Sequence, residues 1–219
     1  KKALIISFLE GKKINIPSIK ECFEVGKMVG NLHNLTINFA QKRENSLNIE
    51  EWKKIFKKCE SKRINKFNDI FDDLKSEIVF LENSLPKNLP SGIIHADLFK
   101  DNIFFEKEEI TGVIDFYFSC HEFFLYDISI VINDWCFEKN GETFKDNFFK
   151  SILEGYKTVR ELSNDEMSSF NVLLRAASVR ILITRLHDYL FHPIDAIVVK
   201  KDPFQYYNIL KWHQKNMVT

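Results

Sequence analysis

Glycine is scarce in this sequence: seven among 219 residues, with no Gly-x-Gly among them. A glycine-rich loop that wraps phosphates is thereby excluded from the chain. Cysteine is equally uninformative as a ligand. Cys22, Cys59, Cys120 and Cys136 form no Cys-x-x-Cys pair and fall inside apolar patterns, which argues against zinc and disulfides and for reduced, buried thiols. Net charge is absent, since Lys plus Arg and Asp plus Glu both total 31; no overall field draws the protein to nucleic acid or an anionic membrane. The clusters Lys53-Lys54 and Lys57-Lys58 are interrupted by acids and read as solvated helix faces. No apolar run is long enough to span a bilayer, and the run at residues 3–6 is too short for a secretory core. The expectation is a soluble, cytoplasmic protein with neither nucleic-acid nor membrane partners.

What is present is helical periodicity interrupted once. Residues 3–6 read as a buried strand ending at a Glu10-Gly11 turn. Ser18 and Glu21 make a capping box, and Cys22, Val25, Val29 and Leu32 supply the apolar stripe of the helix it opens. Gly26 and Gly30, four apart on that helix, mark close packing rather than a phosphate site. Two more amphipathic helices follow, one through Ile49, Trp52, Phe56 and Cys59, the other from Phe67 to Leu81 and ending before Pro86. The period then changes: Ile93-Ile94, Ile103-Phe104-Phe105 and Val113-Ile114 are short β-rich runs. Helical patterns return over 126–137, over 142–160, from a second capping box at Ser163 and Glu166 towards Tyr189, and after Asp202-Pro203. The expected fold class is α+β, mostly helical, with a small strand-and-loop platform. With no repeat or low-complexity linker, residues 1–219 read as a single domain.

The chemistry concentrates on that platform. The stretch Gly92-Ile-Ile-His95-Ala-Asp97-Leu-Phe-Lys-Asp101-Asn102 is followed by Ile114-Asp115-Phe116. A loop between apolar strands thus presents a carboxylate and an amide, and the next strand ends in a second carboxylate. Magnesium prefers one or two carboxylates completed by phosphate and water, which Asn102 and Asp115 can offer. Asp97 is then free to face an acceptor hydroxyl. As plain turn residues, Asp97 and Asp115 would leave two carboxylates after apolar strands without a reason. His95 is assigned to packing and hydrogen bonding beneath the site. The spacing is that of the kinase catalytic loop, His-x-Asp-x-x-x-x-Asn with a downstream aspartate.

With Gly112-Val-Ile-Asp115-Phe-Tyr-Phe added, the sequence resembles the aminoglycoside phosphotransferase and choline kinase superfamily. Within it, Asn133-Asp-Trp135-Cys-Phe-Glu138, Thr184-Arg185-Leu-His-Asp188-Tyr189, His192-Pro193 and Lys201-Asp202-Pro203 point to the homoserine kinases of that type. The resemblance implies a protein-kinase-like C-terminal lobe, with the hinge at about residues 5–11 and the N-terminal nucleotide lobe absent from this chain. It implies ATP and Mg2+ as cofactors, with Phe8, Leu9 and Glu10 against the adenine, Asp97 on the homoserine hydroxyl, and Asn102 and Asp115 on magnesium. Asp127 would brace the catalytic loop, or serve only as a helix N-terminal acid. A cation is then needed for the substrate carboxylate: Arg175, Arg180 and Arg185 are candidates, with Arg180 the one singled out. Spaced by five, they cannot all share one helical face. Tyr117 and Trp135 are candidate pocket walls, or core aromatics. Kinases for choline, an aminoglycoside or a sugar, and a non-catalytic binding module, are the rival readings.

Overall fold

The computed structural model describes residues 8–193 and 200–218. The strand expected at residues 3–6 and the start of the hinge lie outside the described residues. Among the described residues, seven α-helices and four short strands follow in the order α1 (Ile19–Thr36), α2 (Ile49–Glu60), α3 (Asn68–Ser84), β1 (Ser91–Ile94), β2 (Ile103–Glu106), β3 (Glu109–Val113), β4 (Cys120–Phe123), α4 (Phe124–Trp135), α5 (Asp146–Lys157), α6 (Asn164–Phe191) and α7 (Phe204–Lys215). The mostly helical α+β class is as expected. Both capping boxes form, at Ser18 with Glu21 and at Ser163 with Glu166, each satisfying backbone donors that a helix start leaves open.

The platform is two two-stranded ribbons. β2 and β3 form a hairpin whose turn residues Lys107 and Glu108 both have left-handed φ, the geometry that matches strand twist. β1 pairs antiparallel with β4, a strand the sequence did not signal because Cys-His-Glu-Phe lacks a clean alternation. The expected helix over 142–160 starts four residues later. Asn140-Gly141 turns the chain instead, with Gly141 at φ +78 and Phe137 bridged to Phe144.

Helix α4 is buried almost end to end, as befits the central helix of a core. It packs against α6, which also meets α2, α3 and α7. α1 and α5 lie backbone to backbone, because a side chain on Gly26 would overlap the Ile152 carbonyl and one on Gly155 the Phe23 carbonyl. Among the described residues no helix is long and apolar enough to cross a membrane.

Candidate active site

The loop of residues 95–102, expected to be catalytic, lies along α4 and is fastened to it at both ends. Asp127, wholly buried, accepts the backbone N–H of His95 at 3.0 Å and of Ala96 at 2.8 Å. Two turns on, where the same helix face recurs, Asp134 accepts the Lys100 N–H at 2.8 Å, and Trp135 Nε1 donates to Leu98 O at 3.3 Å. Of the two readings of Trp135, pocket wall and core aromatic, its surroundings match the second: it is 1% exposed and spends its one donor on the loop.

Asp127 is itself held from behind. His33 Nε2 stands 3.2 Å from its Oδ2, and His33 Nδ1 stands 2.8 Å from the Tyr156 hydroxyl. A carboxylate accepts only, so His33 carries its proton on Nε2 and Tyr156 donates to Nδ1. Arg160 donates to the Tyr156 oxygen at 2.9 Å and to Glu166 at 2.9 Å. Burial alone would raise the Asp127 pKa, but the His33 hydrogen bond and the His95 amide outweigh it and hold the carboxyl below its usual range. Burial in turn lowers His33, against the pull of Asp127. Sequence reasoning missed this chain. Its one signal was His33 falling in register with Cys22, Val25, Gly26, Val29 and Gly30, a polar residue on a buried stripe.

His95, fully buried, links the loop to the end of β3. Its Nδ1 accepts the Asp97 N–H at 3.2 Å and its Nε2 donates to Ile114 O at 2.9 Å. Asn102 Nδ2 donates to Asp97 O at 2.8 Å, which turns its amide oxygen away as a free acceptor. Asp115 follows β3 in the left-handed region at φ 66, exposed and without a capping bond. Among the described residues no three His, Cys, Asp or Glu cluster as a closed metal cage. An amide oxygen and one carboxylate fit instead a hard cation whose remaining ligands are phosphate and water.

Asp97 opens into a cavity of about 510 Å³. Arg180 Nη1 lies 3.4 Å from Asp97 Oδ1 and donates to Ala96 O at 2.9 Å. Burial lifts the Asp97 carboxyl above its usual value, the Arg180 charge opposes the rise, and Asp115 adds to it. The three arginines separate. Arg175 makes a two-pronged pair with buried Glu77, at 2.7 Å on each prong, away from the cavity. Arg180 and Arg185 line the cavity. Tyr117 is 69% exposed and does not line it; the wall is its neighbour Phe118.

At the other edge of the platform, Lys12 exchanges backbone bonds with Phe105, and Thr111 Oγ1 donates to Glu10 O at 2.6 Å. Leu9 packs on Gly112, while Phe8 is 92% exposed. None of Phe8, Leu9 and Glu10 lines the cavity.

Residues 1–162 match the model of the phosphotransferase enzyme family, APH. The chain belongs to this family. It is 42% identical over 212 residues to a homoserine kinase of Agrobacterium fabrum (strain C58 / ATCC 33970), a match covering 97% of the chain and 66% of that protein. The chain thus spans just under two thirds of the length of the curated relatives it matches. The fold is shared with an ethanolamine kinase of Plasmodium vivax (TM-score 0.63, 19% identity, 97% of this chain and 65% of that one). It is shared also with the amicoumacin kinase hAmiN, solved in complex with AMP-PNP, Ca2+ and Ami (TM-score 0.62, 18% identity, 90% of this chain and 58% of that one). This member of the family therefore has the aminoglycoside phosphotransferase and choline kinase type of fold that residues 95–102 suggested.

Proposed function

We propose that the chain carries the catalytic and acceptor-binding part of an ATP-dependent homoserine kinase, which makes O-phosphohomoserine and ADP in the cytoplasm. The observation that carries this reading is the placement of Asp97. It sits on a loop tied down by Asp127, Asp134 and Trp135, beside Asn102, and faces a cavity where, among the described residues, Arg180, Arg185, Lys200 and Lys201 oppose Asp97 and Asp188. Such a surplus of cations repels a polycationic aminoglycoside and suits an acceptor with a carboxylate. An aromatic cage for choline is also wanting. Phe118, Phe99 and Phe191 line the cavity, but Arg180 lies 5.1 Å from the first ring, Lys201 5.5 Å from the second and Lys62 4.3 Å from the third. A ring face already occupied by a cation offers little to another.

In the reaction, Asp97 accepts a hydrogen bond from the homoserine hydroxyl and aims its oxygen at the γ-phosphorus of ATP. The new O–P bond forms as the bond to the β-phosphate oxygen breaks; the hydroxyl proton passes late to Asp97 and ADP leaves. Its raised pKa makes Asp97 a better acceptor than an ordinary carboxylate while leaving it far weaker than an alkoxide, so positioning carries most of the rate. Asn102 and Asp115 would hold Mg2+, whose charge screens the phosphate oxygens when bound. The strap at Phe8, Leu9 and Glu10 would receive the adenine, an N-terminal lobe completing the nucleotide site. Residues 1–219 then form one domain of hinge plus C-terminal lobe.

Coupled ADP release by the full-length protein, with homoserine, choline, threonine or an aminoglycoside and with or without Mg2+, tests the reading. Turnover with homoserine that Asp97→Asn abolishes is the expected result. Turnover with another alcohol and none with homoserine would overturn the substrate, and no turnover with any would favour a binding module.

A further inference from the structure

The cavity wall contributed by α6 has a polarity along its length that goes beyond the phosphoryl-transfer groups. Arg180 marks its deep end, because one of its terminal nitrogens is already committed to Ala96 O and Asp97. Its side chain is 5% exposed and its face is covered by Phe118. It is built into the loop and, so buried, presents little surface to a ligand. Thr184 and Arg185 come about one turn later, ~6 to 7.5 Å along the helix axis, and Asp188 a further turn out. All three line the cavity.

Arg185 differs from the other cations there. Its Nη1 donates to Gln205 Oε1 at 2.7 Å and to Asp202 O at 3.4 Å, and its guanidinium lies 4.4 Å from the centre of the Tyr206 ring. It is thus held in one orientation by α7 and by Asp202, two residues before it, while Nε and Nη2 keep three N–H donors in a fork that matches a carboxylate. Lys201 is spent differently, 58% exposed and 3.7 Å from Asp101. The dimensions agree as well. An extended chain of four bonds separates the side-chain oxygen of a γ-hydroxy amino acid from its carboxyl carbon by ~5 Å. With a hydrogen bond at each end, the two anchoring groups stand roughly 10 Å apart, against a rise of ~7.5 Å along α6 from Arg180, which touches Asp97, to Arg185. Asp188 is the one carboxylate besides Asp97 on the wall among the described residues.

We propose that Arg185 is the anchor for the α-carboxylate of the acceptor and Asp188 the partner of its α-ammonium, so that this end of the cavity selects a zwitterionic amino acid by its head group. The proposal rests on the homoserine reading and reassigns the carboxylate from Arg180, which is kept for the catalytic loop. Asp188, at 75% side-chain exposure, contributes less than half-buried Arg185, since solvent screens it.

The test is steady-state kinetics of the full-length protein with homoserine, with 3-aminopropan-1-ol, which lacks the carboxylate, and with 4-hydroxybutyrate, which lacks the ammonium. Arg185→Met should raise KM for homoserine and for 4-hydroxybutyrate roughly 10- to 100-fold. It should leave KM for 3-aminopropan-1-ol within about twofold, and Arg185→Lys should recover part of the loss. Asp188→Asn should raise KM for homoserine about 2- to 5-fold and leave that for 4-hydroxybutyrate alone. Because Arg185 also steadies α7, turnover of the carboxylate-free analogue reports that the variant is folded. An unchanged homoserine KM in Arg185→Met, or an equal loss with all three alcohols, overturns the anchor while the kinase reading stands. A wild-type protein that turns over no homoserine overturns both.

Discussion

Asp127 and Arg180 grip the two ends of one residue: the Asp127 carboxylate takes the Ala96 N–H at 2.8 Å and the Arg180 guanidinium gives a hydrogen bond to the Ala96 carbonyl at 2.9 Å. Ala96 sits at φ 63, a left-handed conformation that costs a residue with a Cβ about 1–2 kcal/mol. Two buried charged groups, one from α4 and one from α6, hold the backbone there. The strain sits immediately before Asp97 and sets the direction in which that carboxylate leaves the loop.

Removing one of the two grips should appear in the pH profile. In the proposed reaction Asp97 works as a carboxylate; its pKa is already raised by burial, and Arg180 opposes the rise. In Arg180→Met the carboxylate loses its nearby positive charge, so its pKa moves up and the acid limb of kcat moves to higher pH. Measuring kcat from pH 5 to 9 checks this; a limb that stays in place would rule out electrostatic coupling between the two.

Glycine at position 96 should relieve the strain. Ala96→Gly is expected to stabilise the fold by ~0.5–1 kcal/mol in urea unfolding, with kcat held because both backbone bonds remain. A loss of stability would mean that Ala96, only 5% exposed, matters more for its buried methyl than for its dihedral angle.

Arg175 should behave unlike the other two arginines. Glu77 is 3% exposed and accepts from Arg175 on both oxygens and from Gln214 at 2.8 Å. Glu77→Ala strands a charge between α3, α6 and α7 and should cost roughly 3–5 kcal/mol. Turnover per folded molecule should not change. A fall in kcat at full folding would refute the purely structural role.

Two buried histidines make stability depend on mild acid. Burial lowers both His33 and His213, the latter to about 3. Each stays neutral in the fold but binds a proton near pH 6.5 when unfolded. Their contribution is complete above 6.5 and shrinks as the pH falls towards the folded value, by ~1.4 kcal/mol per unit for each. Urea unfolding between pH 7 and 5 should show this slope, and His213→Gln should remove about one proton's share. An unaltered slope in the variant would exclude His213 as a source.

The catalytic loop was legible because its groups are neighbours in the chain: His95, Asp97 and Asn102 lie within eight residues, and turn chemistry confines them to one loop. Their supports were not, because His33 meets Asp127 across 94 residues and Arg180 meets Ala96 across 84, and no periodicity encodes which helix faces which. Tyr117 and Phe118 differ by one step of phase. Left-handed Asp115 and the short turn after it reset the direction of the side chains, a geometry that alternation in the sequence does not carry. Trp135 was legible as a large aromatic near the site, but not as a donor; only the position of Leu98 O decides that.

The contact between α1 and α5 has a consequence for the site as well as for packing. Gly30 stands three residues before His33, and Gly155 immediately before Tyr156. A side chain on Gly30 would collide with Val159, and one on Gly155 with the carbonyl of Phe23. Any larger residue wedges the two axes apart, and the 2.8 Å bond between His33 and Tyr156 lengthens with them. The glycines thus act as a gauge of zero thickness: hydrogen atoms far from the cavity calibrate how firmly Asp127, and through it Asp97, is held.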